Sequence, residues 1–364
     1  MSLITRIRLA SGKGLSGIDI GSGSIKIIKL SRKGKRVCLD EIGYIRLSEE
    51  IKLLEEGDKL SKGISDLIKT KEMGVEKVAS ALSSPSLTIR YIILPRMPKK
   101  DLYQAVKWEV RKQITFSAEE LVCDYSVLEE VIREGEKKLS IVAFAVKKSD
   151  VQEHLNILRE ASLIPVVIDT IPTALLSAFD HNNLWEQGVN YAMVDIGKTK
   201  TNLVILRDRM LRFAREIPFG GGDLTTSLQN NLGLSLKEAE TRKIDHGMLL
   251  KEENDRTVPE KTKRTRDILT PVLEQLALEL HRSFDYYKVQ FREGSISKIF
   301  LTGGSAKLKG IDRFLSESLD IPCFIDDPLK NIDVDMKGIE IDEISSLSPM
   351  LTVATGLALR RTGK

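Results

Sequence analysis

One short pattern occurs twice in this chain of 364 residues, and it constrains the fold more than any other feature. Near the start, Gly17-Ile18-Asp19-Ile20-Gly21-Ser22-Gly23-Ser24 stands between two stretches of alternating apolar residues. Further on, Val194-Asp195-Ile196-Gly197-Lys198-Thr199-Lys200-Thr201 stands in the same setting. Alternation at period two marks half-buried strands, and Gly with Ser or Thr between two such runs marks a tight turn. Each hairpin is therefore expected to carry an Asp at the end of its first strand, just before a turn of small residues.

The surroundings repeat as well. After the first Asp come strands at Ile25–Leu30 and Arg36–Leu47, then a helix over 49–72 and strands at Val78–Leu82 and Leu87–Leu94. Pro95 and Pro98 mark a boundary. Beyond it the spacing predicts a helix at Lys99–Gln113, strands at Cys123–Glu129 and Leu139–Val146, a helix at Ser149–Ala161, a strand at Pro165–Asp169 and a helix at Thr173–Phe179. Near Gln187 the design starts again, with strands at Tyr191–Ile196, Thr201–Leu206 and Leu211–Pro218. A charged helical region over 223–290 follows. Its last helix carries Leu269, Val272, Leu273, Leu276, Leu280, Phe284 and Tyr287 at three- and four-residue steps, a stripe of core type. The basic run Lys261–Arg266 reads as a solvated loop. A strand at Ile299–Thr302 then runs into Gly303-Gly304-Ser305 at a helix start. This is a repeat of architecture rather than of sequence, and two related halves imply a cleft between them.

Composition narrows the class. With 41% hydrophobic and 30% charged residues the chain can bury a core, so wholesale disorder is excluded. A net charge of +4 is too small for this length to argue for nucleic acid. No run reaches the ~18 apolar residues of a membrane span, and the N-terminus lacks the apolar region of a signal peptide. Residues 1–14 read as a flexible arm. Cys38, Cys123 and Cys323 are far apart and form no CxxC, which supports neither a disulfide framework nor a zinc site. A reduced, cytoplasmic protein is expected.

Three elements carry chemistry: the two Asp turns and Leu301-Thr302-Gly303-Gly304-Ser305. A turn of Gly and Ser exposes backbone amides that can hold phosphate oxygens, and Ser and Thr hydroxyls add donors. An Asp just before such a turn can hold a hydrated Mg²⁺, because magnesium keeps its waters and takes few protein ligands. Two such turns face to face would clamp phosphates and metal from both sides. The glycine pair would let a flat base lie against the backbone. Each element alone is weak, but the three in this order, about 176 and then 106 residues apart, are much more specific.

In these elements the chain resembles the actin-like ATPase superfamily, whose two phosphate motifs and adenosine motif they match. Within it the chain is most similar to the PilM family of type IV pilus assembly proteins, relatives of the division protein FtsA. Gly17–Ser22 followed by a lysine-rich strand supports this, as does Phe219-Gly220-Gly221-Gly222-Asp223-Leu224-Thr225 leading to Glu238-Ala239-Glu240-Thr241-Arg242-Lys243. The resemblance runs from about 15 to 362.

The resemblance implies an α/β actin-like ATPase fold: two lobes with duplicated ribonuclease-H-like cores and inserted subdomains. The first lobe would hold 15–187, with 342–364 packing back on it and a small inserted subdomain at about 95–165. The second would hold 188–341, with a helical subdomain at about 223–290. It also implies ATP or ADP with Mg²⁺. Asp19 and Asp195 would lie at the metal through water. Gly21, Ser22, Gly23 and Ser24 would line the first phosphate turn, and Gly197, Lys198, Thr199 and Thr201 the second. Gly221 and Gly222 would lie near the nucleotide, Glu240 and Lys243 at ribose or base, and Gly303, Gly304 and Ser305 on the adenosine. The implied partner is the N-terminal cytoplasmic peptide of a PilN-like inner-membrane protein, with the assembly ATPase and a second copy of the chain as further partners. Membrane association would be indirect, at the inner face of the cytoplasmic membrane, with no nucleic acid.

One departure bears on activity. Chaperones of the DnaK type place an acidic residue just before Pro-Thr-Ala to orient the attacking water. Here that stretch is Ile168-Asp169-Thr170-Ile171-Pro172-Thr173-Ala174, and an apolar Ile171 cannot orient a water. Asp169, two residues earlier, would point elsewhere. The expectation is nucleotide binding with weak hydrolysis or none, and no catalytic residue is assigned. Lys198 either neutralises phosphate charge or crowds it. Other readings of the same fold are an FtsA-like division protein, a type II secretion platform protein, a bare scaffold, and a small-molecule kinase with Asp223 as its only catalytic candidate. FtsA-like chains end in an amphipathic membrane helix and secretion platform proteins carry a transmembrane segment. This chain is expected to have neither.

Overall fold

The computed structural model describes residues 15–47, 57–133, 135–249, 258–291, 293–334 and 341–360. The arm at 1–14, the start of the helix expected from 49 and the last four residues lie outside them.

The first hairpin is β1 (Ser16–Ile20) and β2 (Ser24–Lys33), continued by β3 (Arg36–Arg46). The helix α1 (Gly57–Thr70) crosses over to β4 (Lys77–Leu82). An insertion follows: β5 (Thr88–Pro95), α2 (Lys99–Arg111), β6 (Leu121–Arg133), β7 (Glu136–Lys147) and α3 (Lys148–Glu160). The chain then returns through β8 (Ile164–Thr170) and α4 (Ile171–Asn182). The second hairpin is β9 (Asn190–Ile196) and β10 (Thr201–Arg207), continued by β11 (Met210–Ile217). Helices α5 (Gly221–Leu232), α6 (Leu236–His246) and α7 (Glu260–Phe291) lead to β12 (Ile296–Thr302), α8 (Ile311–Leu319) and β13 (Cys323–Ile325). The chain ends through β14 (Asp333–Val334), α9 (Ile341–Leu347) and α10 (Thr352–Ala358).

The duplication is plain in the topology. The first sheet runs β14-β3-β2-β1-β4-β8 and the second β11-β10-β9-β12-β13. Leaving out β14, both have the same order: an antiparallel meander of three, then two strands parallel to the first. Parallel neighbours need a crossover, and helices supply it in both halves. β1 is buried along its whole length, as a central strand covered on both faces must be.

The insertion forms a third sheet, β5-β7-β6. α2 closes its own small core by burying Leu102, Val106 and Val110 against Ile92, Leu94 and Ile141. Another core joins the two larger sheets through α4 and α10: Ala79 and Val166 from the first meet Met193 and Val204 from the second around Leu175, Phe179 and Leu357. α10 lies very close to its neighbours. A Cβ on Gly356 would come 1.9 Å from Ala174 O, and one on Gly17 would come 2.0 Å from Ala354 O. Only glycine permits these two backbone approaches.

One expectation is corrected. Lys261–Arg266 is not a solvated loop but the start of α7, in which Thr262, Thr265 and Arg266 are buried. Arg242 fixes it, donating from Nε to Thr265 Oγ1 at 2.7 Å and from Nη2 to Lys261 O at 2.7 Å. Lys261 and Arg264 are exposed on the outward face of this helix, whereas its threonines and Arg266 are buried.

Candidate functional site

The two hairpins are built alike down to single residues. In the first, the Gly21 amide donates to Ser24 O at 3.0 Å and closes the turn. In the second, the Gly197 amide donates to Lys200 O at 3.0 Å. Asp19 faces Lys26 across its ladder, and Asp195 faces Asn202. Lys26 Nζ donates to Asp19 Oδ2 at 2.7 Å, and Asn202 Nδ2 to Asp195 Oδ2 at 3.0 Å. Each Asp thus has its partner seven residues on, a Lys in one half and an Asn in the other. Sequence reasoning missed both partners, although the fixed interval beyond each Asp was there to read.

The turns meet tip to tip. Ser22 Oγ and Thr199 Oγ1 share a hydrogen bond of 3.0 Å across 177 residues of chain. A Cβ on Gly23 would stand 3.1 Å from Lys198 Cβ. The two carboxylates lie close enough to repel. Burial, and after it the charge of Asp19, push the Asp195 carboxyl up to about 6.

The remaining expected residues close around the second turn. α5 starts against it, with Gly221 N donating to Gly197 O at 2.8 Å and Gly222 N to Lys198 O at 2.7 Å. Lys243 Nζ reaches from α6 to Gly221 O at 2.9 Å, Thr225 Oγ1 at 2.8 Å and Glu240 Oε2 at 2.8 Å. Burial alone would raise the Glu240 carboxyl, but Lys243 and the Thr225 hydroxyl outweigh it and hold it below its ordinary value. β12 delivers Gly303 with φ +87°, where a Cβ would lie 2.6 Å from Asp195 Oδ1. Gly304 opens a single 3-10 turn rather than a full helix, and within it Ser305 Oγ donates to Gly197 O at 3.4 Å.

Three residues weighed from the sequence have partners within the fold. Thr201 is fully buried and donates to Phe219 O at 2.7 Å. Asp223, the sole kinase candidate, accepts from Gly220 N at 2.8 Å and caps α5. Asp169 is buried, paired with Arg360, and accepts the Thr170 amide at 2.8 Å. No free carboxylate remains at that point to orient a water. Arg46 was also missed: it crosses from β3 to Glu240, Nη2 to Oε1 3.2 Å. No local signal could have found a pair 194 residues apart.

The residues fit a magnesium nucleotide. Asp19 is buried and Asp195 half-buried, and their carboxylates at the hairpin ends repel one another, a cost that a divalent cation between them would relieve. The Ser22 and Thr199 hydroxyls now bond each other, and both can donate to phosphate oxygens instead.

A family model described as type IV pilus assembly protein PilM matches residues 17–362. Among solved structures, one described as a PilM-PilN type IV pilus biogenesis complex is 27% identical, with a TM-score of 0.84, covering 96% of this chain and 99% of that one. The ethanolamine utilization protein EutJ from Carboxydothermus hydrogenoformans matches at 15% identity and TM-score 0.57, covering 98% of this chain and 94% of its own. MreB5 of Spiroplasma citri bound to AMPPNP matches at 12% and 0.54, covering 95% of each.

Proposed function

The chain belongs to the PilM family of type IV pilus assembly proteins and has an actin-like fold, and on that premise we propose that it is a nucleotide-held platform for a membrane partner. ATP with Mg²⁺ binds between the two hairpin turns. Asp19 and Asp195 hold the metal through its waters, and the amides and hydroxyls of Gly21–Ser24 and Gly197–Thr199 hold the phosphates. Glu240 and Lys243 take the ribose or base, and Gly303–Ser305 the adenosine. The observation that carries this reading is the tip-to-tip meeting of the two Asp turns, fixed by the Ser22–Thr199 hydrogen bond of 3.0 Å.

The nucleotide holds the half at 15–187, with the C-terminal helices, in one pose against the half at 188–341. That pose shapes a groove beside the inserted sheet. Its occupant is the N-terminal cytoplasmic peptide of a PilN-like inner-membrane protein. Support for this partner comes from the relative described as a PilM-PilN complex, which matches over nearly the whole of both chains. No helix among the described residues is long and apolar enough to cross a membrane, and the proposed attachment to the inner face runs through the partner. Hydrolysis is slow, because Ile171 is apolar and Asp169 is committed to Arg360.

Calorimetry with Mg-ATP tests the site. The expected outcome is binding to the native chain, and a loss of tenfold or more in Asp19→Ala and in Asp195→Ala while both still unfold cooperatively. Native affinity in both variants would overturn the assignment.

A further inference from the structure

Arg46 ends β3 beside the first turn. It is the cross-strand partner of Ser24, and the amide of the next residue, Leu47, donates to Gly23 O at 3.0 Å. From there its guanidinium spans the cleft to Glu240 Oε1 at 3.2 Å. Glu240 is satisfied without it, since Oε2 already accepts from Thr225 at 2.6 Å and from Lys243 at 2.8 Å. The Arg46 side chain is exposed, and an exposed ion pair is weak and easily exchanged.

Positive charge is crowded here. Burial lowers the Lys243 ammonium, Glu240 only partly offsets this, and Arg46 and Lys198 add to the lowering. Lys307, just past Ser305, is lowered by partial burial and by Arg46. Among the described residues neither Lys198 nor Lys307 has an ion-pair partner. Arg46 and Lys243 therefore share the Glu240 carboxylate, with Lys198 acting on Lys243 and Lys307 on Arg46 as further positive charges. Like charges so arranged repel, and a polyanion lying along them removes the repulsion.

We propose that Arg46 is a nucleotide-binding residue that leaves Glu240 for the polyphosphate when nucleotide enters. This rests on the reading of the cleft as a nucleotide site. The planar guanidinium matches two phosphate oxygens at once, which a lysine cannot do. Its departure frees Glu240 Oε1 for the sugar hydroxyls. The first half thereby contributes a further side chain to the phosphate end of a site whose nucleoside end comes from the second half, and the exchange links loading to the bonds across the cleft.

The test is calorimetry of the native chain, Arg46→Ala and Arg46→Lys with Mg-ATP and, separately, with adenosine. Arg46→Ala is expected to bind Mg-ATP about tenfold more weakly and adenosine as the native chain does, with Arg46→Lys between the two. Unchanged Mg-ATP affinity in Arg46→Ala would overturn the proposal. So would an equal loss for adenosine, which would make Arg46 a wall of the nucleoside pocket. The native chain is a separate arm: if it binds no Mg-ATP, the nucleotide reading fails and this proposal with it.

Discussion

Asp19 and Asp195 end equivalent strands, but their neighbours differ. Lys26 neutralises the first by direct contact, whereas the second accepts from the Asn202 amide, stands against the charge of the first and feels Lys26 and Lys200 more weakly. With its folded pKa raised to about 6, Asp195 favours the folded state fully below its ordinary value of 3.8, and that contribution is lost as pH rises through 6. Asp195→Asn keeps the shape and the bond from Asn202 while removing the charge. It is expected to stabilise the nucleotide-free chain at pH 7.5 by about 1–3 kcal/mol, an order-of-magnitude figure from the shift, and to weaken Mg-ATP binding. Urea unfolding at pH 4 and pH 7.5 checks this, because the gain should vanish at the lower pH. At the water-positioning point, Ile171→Glu should leave Mg-ATP affinity near native and raise turnover, read as phosphate release. Unchanged turnover would mean that the water is placed by some other group.

At the scale of elements, α10 is the tightest fit. A methyl on Gly356 meets the Ala174 carbonyl, backbone against backbone, and neither helix can yield without shifting the core that joins the sheets. Gly356→Ala is expected to cost several kcal/mol or prevent folding, as overpacking does at its worst. Gly63→Ala, in α1 where a Cβ meets nothing within 4 Å, should instead stabilise by about 0.5–1 kcal/mol. Thermal unfolding of the two variants tests the contrast. The elements also show what was legible in the sequence. The hairpins could be read because apolar runs bounded by Gly with Ser or Thr mark strand, turn and strand, although β1 and β10 are buried on both faces rather than half-buried, and the stripe of α7 because three-to-four spacing reports which face is buried. Thr201 could not be placed, since its hydroxyl is taken by a carbonyl 18 residues on. The start of α7 was hidden because a run of charges reads as solvated and nothing local shows that Arg266 is buried or that Arg242 ties its first turns down. Asp169 was doubted on spacing alone, and its partner Arg360 lies 191 residues away.

Across the whole molecule, the inserted sheet is bonded to the second half by a buried cluster. Arg212 on β11, with 8% side-chain exposure, pairs with Glu129 on β6 and lies 3.8 Å from Glu293. Tyr91 on β5 meets Phe291 edge to face at 5.4 Å. Removing the guanidinium takes a partner from Glu129, which is partly exposed, and from Glu293, which keeps Arg207 and Tyr287, so Arg212→Ala should cost about 1–3 kcal/mol and speed amide exchange in β5–β7. Because this sheet touches both halves, the proposed change of pose at the cleft would have a physical route to the proposed groove beside it. On the proposed reading the pose depends on what lies between the Asp turns, and that is measured most directly by nucleotide content. The purified chain is given Mg-ATP in modest excess, and bound ATP and ADP are followed over hours by ion-exchange chromatography. The account expects about one nucleotide retained per chain, with ATP converted slowly or not at all. A chain that retains none would contradict it, leaving the two Asp turns as structural remnants and the groove to explain the protein alone.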